Sequence, residues 1–324
     1  MLMTIEKAKQ KITSGEILMV AGDENLLAQL PKGNWIGGSI PYFIAENGGI
    51  FTKDQVFVTT LDPKIFSAPA AQSYTEKSIT AIATNAPENS LTFLIIPFGS
   101  AVHQSYAQNA PDFADMFQKP IIGWISGMAL ADIGKVKACV VNGLTGEKFT
   151  DQAMALRCKL PAGRQASISI INIFKQGNGD NIEFQTEGFD IKEAIINGQK
   201  QNFYQYIKAN KIDTQLPLVG DFGGALINVS YQSLDDAAQI VHLYAPVFKN
   251  MVYKMAAPIG NYTELMQQKL SEFKSASTVF SCNCILNYLY GSLEGKRTGT
   301  VTGPITFGEI AYQLVNQTFV AVEV

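Results

Sequence analysis

Between Ile17 and Ile40 two short apolar runs, Ile17 to Ala21 and Trp35 to Ile40, flank a stretch that Asp23 can cap as a short helix ending near Leu30. Strand, helix and strand in so short a span commit this part of the chain to an α/β architecture. The pattern recurs. Leu91 to Pro97 reads as a strand, Pro111 to Phe117 as a turn or two of helix, and Pro120 to Ser126 as a further strand. Leu27-Ala28-Gln29-Leu30 then aligns with Phe113-Ala114-Asp115-Met116, and Ile36-Gly37 with Ile122-Gly123, so an internal duplication is expected.

From Lys137 the pattern turns to β-hairpins: Val136 to Val141, a turn at Asn142-Gly143, Ala153 to Leu160 and Ser167 to Phe174. Asn-Gly pairs mark turns because both residues tolerate positive φ. The second half reads as Ile191 to Ile196, a turn at Asn197-Gly198, a helix around Phe203 to Lys208, and strands at Ala225 to Ser230, Ile240 to Tyr244 and Val252 to Ala256. A helix follows with Asn261 as N-cap and Glu264 at capping-box spacing, Leu265 and Leu270 to Phe273 facing inward. Thr278 to Cys282 is then a strand feeding a helix from Asn283 to Tyr290, and Thr318 to Val324 a closing strand. The expected fold class is α/β with α+β character in the middle: two closely packed mixed-sheet domains with flanking helices, residues 1–185 and 186–324. A length of 324 residues agrees with two domains rather than one.

Several function classes are disfavoured. With 25 basic and 28 acidic residues, the chain carries no electrostatic footprint for nucleic acid. Its longest weakly polar run, Ile121 to Ala131, is too short and too glycine-broken to span a bilayer. No signal-peptide pattern opens it, and four cysteines do not make a disulfide framework, so a cytoplasmic protein is expected. No Gly-x-Gly-x-x-Gly or Walker pattern is present, so no cofactor is expected, and Cys282-x-Cys284 without a second ligand pair gives no reason to expect a metal.

Candidate binding residues fall into two groups. Gly37, Gly38 and Ser39, and Gly123, Trp124 and Ser126, end strands, where α/β folds place ligand crevices. In the C-terminal segment, Cys282 and Asn283 stand where a strand meets a helix, and Phe307 and Glu309 flank Gly308. A helix N-terminus favours a thiolate, which makes Cys282 a weak catalytic candidate, but a nucleophile needs a base and the chain has only His103 and His242. A carboxylate such as Glu309 in an apolar, glycine-rich setting requires hydrogen-bond partners or a ligand.

The segment Val279-Phe-Ser-Cys-Asn-Cys-Ile-Leu-Asn, with Thr302-Gly-Pro-Ile-Thr-Phe-Gly-Glu-Ile and Asn316-Gln-Thr-Phe, resembles the C-terminal half of the FIST family, and Trp35-Ile-Gly-Gly-Ser resembles its N-terminal domain. The basic residue that relatives carry shortly after the cysteine is absent here. The resemblance implies a non-enzymatic sensory module that binds a small molecule, such as an amino acid or related metabolite, and that either signals through a separate protein partner or works alone. A cysteine-dependent enzyme and a signalling scaffold are the alternatives.

Overall fold

A computed structural model describes residues 1–270 and 277–324. The chain is mixed α/β, with 42% of residues in strands against 17% in helices. That excess of strand has a simple origin, because one strand-rich unit is laid down three times.

In each unit a leading strand is followed by a helix and a second strand parallel to the first. These pairs are Ile17–Gly22 with Trp35–Ser39, Ser90–Pro97 with Ile121–Ser126, and Thr278–Cys284 with Gly303–Thr306. The first two pairs are buried at every position, as expected for parallel strands covered on both faces. A hairpin follows each pair: Tyr42–Ala45 with Gly48–Phe51, Val140–Asn142 with Glu147–Phe149, and Glu309–Ala311 with Gln313–Val315. A return strand then pairs antiparallel with the leading strand: Gln55–Leu61, Ala153–Lys159 and Phe319–Glu323.

The hairpins do not stay at home. The first unit's hairpin joins the third unit's sheet, the third unit's hairpin joins the second's, and the second unit's hairpin joins the first's. Three six-stranded sheets of the same order result, linked in a closed cycle, and the pairing repeatedly crosses residue 185. The expected duplication is thus present as a triplication. The ladders also fix which residues correspond. Gly37, Gly123 and Gly303 each lie against a carbonyl of the parallel neighbour, where a Cβ would fall 3.0 Å from the Val20 oxygen, 1.7 Å from that of Leu94 and 2.0 Å from that of Ser281. A sequence echo accompanies this, Phe51-Thr52-Lys53-Asp54-Gln55 and Phe149-Thr150-Asp151-Gln152, each leading into its return strand.

Residues 172–261 are an insertion in the third unit, between the Ser167–Ile171 strand, which pairs with Phe319–Glu323, and the Tyr262–Leu270 helix. They form a six-stranded and a three-stranded sheet around helix Phe203–Ala209. Asn197 and Gly198, both at positive φ, make the expected turn between Glu193–Ile196 and Gln199–Asn202.

Some local expectations need correction. The helix of the second unit is Ala101–Asn109, capped by the Ser100 hydroxyl, and Pro111 belongs only to a 3₁₀ turn, Ala110–Asp112. The Thr278–Cys284 strand outlasts its expected end at Cys282, so the next helix, Ile285–Tyr290, starts two residues late. Tyr262, Met266 and Leu270 form the inner face of their helix while Leu265 is half-exposed, and Phe273 lies outside the described residues. Among the described residues no helix is long and apolar enough to cross a membrane.

Candidate functional site

The strand-end residues of the first two units meet inside the molecule. A Cβ on Gly38 would sit 3.0 Å from Trp124 Nε1 and 3.2 Å from Ser126 Cβ, so the two glycine-bearing strands pack face to face across two sheets. Ser39 Oγ donates to the Gly127 carbonyl at 2.7 Å and accepts from the Cys139 amide at 2.9 Å. Trp124 stacks on Phe280, and the Phe307 ring lies over Gly127 and edge-on to Phe98. These contacts are packing. Ser39 and Gly127 line an open cleft of about 130 Å³, with Asp23, Lys53 and Asp132 in its walls. There Lys53 bridges Asp132 at 2.7 Å and Asp23 at 4.0 Å.

The third unit departs from the other two. Across from Trp124 in the ladder stands Glu309, where the corresponding positions of the other hairpins hold Phe43 and Val140. In the leading strand, Ser281-Cys282-Asn283 replaces Val20-Ala21-Gly22 and Leu94-Ile95-Ile96. At these positions polar groups therefore stand where the other units have none.

Glu309 is fully buried. Its Oε2 accepts from the Thr318 hydroxyl at 2.7 Å and from the Thr318 amide at 3.3 Å, Oε1 has a long contact of 3.5 Å with the Thr306 hydroxyl, and the Cys284 thiol also bonds to the carboxyl. Burial raises its carboxyl to about 8, against the pull of the Thr318 donors, so the group is largely protonated at neutral pH. Beside it, Asn283 Oδ1 accepts from the Cys284 amide at 2.8 Å and from Asn287 Nδ2 at 2.9 Å. Asn287 Nδ2 also donates to the Thr318 carbonyl at 3.2 Å. Asn283 Nδ2, Asn287 Oδ1 and the Tyr262 hydroxyl are buried beside one another and have no other hydrogen-bond partner.

The same geometry weakens Cys282 as a nucleophile. It lies within the strand, not at the helix N-terminus, and its thiol donates to the Gly123 carbonyl at 3.4 Å. Burial, then the nearby Glu309, push its pKa well up, which keeps the thiol protonated. Neither histidine is placed as its base: buried His103 has an aromatic contact with Phe98 and accepts from the Gly99 amide, and His242 pairs with Asp190 at 2.6 Å. His103 is held near 4 by burial and is neutral. Among the described residues no three His, Cys, Asp or Glu side chains are placed to hold a metal ion.

Sequence reasoning singled out Cys282, Asn283 and Glu309 but missed Tyr262, Asn287, Thr306 and Thr318, which surround them. The spacing Asn283–Asn287, one helical turn, was the available signal.

The FIST resemblance is not upheld, because the family model that matches nearly the whole chain is a different one. A comparison with curated proteins finds no match. The chain belongs to the family of unknown function DUF6976, whose model matches residues 3–324.

Proposed function

We propose that this protein binds a small polar metabolite of amino-acid size at the carboxyl ends of the third unit's parallel strands, and that it does so without a catalytic cysteine. The observation that carries the reading is the asymmetry of the triplication. Two units form this sheet with Phe43 or Val140 where the third has Glu309, so the fold does not require a carboxyl there. Burying one is costly unless something in use offsets it. The position agrees with the general habit of α/β sheets, which bind ligands outside the carboxyl ends of their strands.

The test is a thermal-shift screen of dialysed protein against polar metabolites, amino acids first, with hits repeated on Glu309→Leu. Binding at this site predicts a shift in the wild type that the variant loses. The proposal fails if no compound shifts the melting temperature, or if the folded variant responds like the wild type.

A further inference from the structure

Resting on that reading, we infer that the ligand carries a carboxamide or ring-amide edge, and that Tyr262 is the plug that fills its place when the site is closed. The argument begins with the orientation of two side chains. Asn283 Oδ1 is engaged by the Cys284 amide and by Asn287 Nδ2, so its free end is the Nδ2 donor. Asn287 Nδ2 is engaged by Asn283 and by the Thr318 carbonyl, so its free end is the Oδ1 acceptor. These bonds fix both amides, since flipping either would set like against like.

This donor and this acceptor both lie beside the Tyr262 hydroxyl. An amide edge, whose carbonyl accepts and whose N–H donates, complements the pair. A carboxylate offers acceptors only and an ammonium donors only. Glu309, holding its proton, adds no fixed negative charge, which suits a neutral group.

The Tyr262 hydroxyl lies beside both asparagine amides, placed to accept from Asn283 Nδ2 and to donate to Asn287 Oδ1 as an amide edge would. Its ring rests against Gly291, where a Cβ would fall 2.3 Å away, so small local shape admits it. Tyr262 opens a helix that starts at the Asn261–Glu264 cap, where the Asn261 side chain receives the Glu264 amide at 3.3 Å. In this inference an outward swing of that first turn would withdraw the phenol from the two asparagines.

The experiment titrates dialysed full-length protein with L-glutamine, L-asparagine and uracil, against L-glutamate and L-aspartate, by thermal shift and calorimetry. The amides should bind and the acids should not. Tyr262→Phe, which removes only the hydroxyl, should tighten amide binding several-fold, Tyr262→Ala more so, and Asn283→Ala should abolish it. If the acids or other polar metabolites bind while the amides do not, the amide assignment is overturned and the small-molecule reading survives. If nothing binds wild type or either Tyr262 variant, both fall. Unchanged amide affinity in a folded Tyr262→Phe overturns the plug.

Discussion

Replacing Glu309 by Gln isolates the energetic consequence of the buried carboxyl. Its pKa lies near 8 in the folded protein against an ordinary 4.5, so the folded state holds the proton more tightly than the unfolded state does. Between those values the unfolded chain has released the proton and the native chain has not. Stability from this group is therefore fully present below about 4.5, declines as pH rises, and is lost once pH passes about 8. At about 1.4 kcal/mol per pH unit the interval amounts to roughly 5 kcal/mol, an upper figure because water entering the site would shrink it. Gln keeps the shape, its carbonyl can still accept both Thr318 bonds, and it does not titrate. Urea unfolding at pH 5, 6, 7 and 8 should show the wild type losing several kcal/mol more than Glu309→Gln, the two being within about 1 kcal/mol at pH 5. Other titrating groups contribute equally to both proteins and cancel in the difference. Parallel stability–pH curves would refute the reasoning, because they would mean that the carboxyl ionises in the native protein as it does in water.

The four cysteines are all buried, with Cys139 pushed to about 11 and Cys158 to about 12 by burial, so a thiol reagent at neutral pH should label none in the native state and all four in denaturant; rapid native labelling of Cys282 would restore it as a nucleophile. Gly123→Ala, whose Cβ has no room beside the Leu94 carbonyl, should cost about 3 kcal/mol or more, whereas Gly179→Ala, with nothing within 4 Å, should change stability by less than about 1 kcal/mol. Ser230→Ala should cost about 1–3 kcal/mol in denaturant unfolding, because the Ser230 hydroxyl, in the insertion, contacts Asn316 at 2.8 Å and Gln317 at 2.6 Å in the closing segment. A single hydroxyl proton cannot serve two acceptors, and Asn316 Nδ2 is unpartnered, so the Asn316 amide is best turned to donate to Ser230.

Where the sequence could be read and where it could not follows from how each signal arises. The leading and second strands of the first two units were visible because wholly buried parallel strands are continuous apolar runs, here bounded by Gly, Pro and Asp. Helix Ala101–Asn109 was hidden because its inner face is Val102, His103, Tyr106 and Ala107, which interleaves polar atoms with apolar ones and leaves little periodicity. Its signal was the capping Ser100, while the apolar cluster after Pro111 misled. The third unit escaped for two reasons: the insertion at 172–261 parts its edge strand from the rest, and Ser281-Cys282-Asn283 erases the apolar run that defines its counterparts.

The second reason ties legibility to function. A β-sheet interior tolerates a carboxyl and two incompletely bonded asparagines only at a cost, and the chain meets that cost in one unit of three. Had these groups served to hold the sheet together, the other two units would need them as well, since all three share strand order, glycine contacts and hairpin exchange. Phe43 and Val140 stand where Glu309 does, so the shared fold does not call for a carboxyl at that position. Asn283, which helps to break the third unit's apolar run, is thus also one of the residues on which the binding proposal rests.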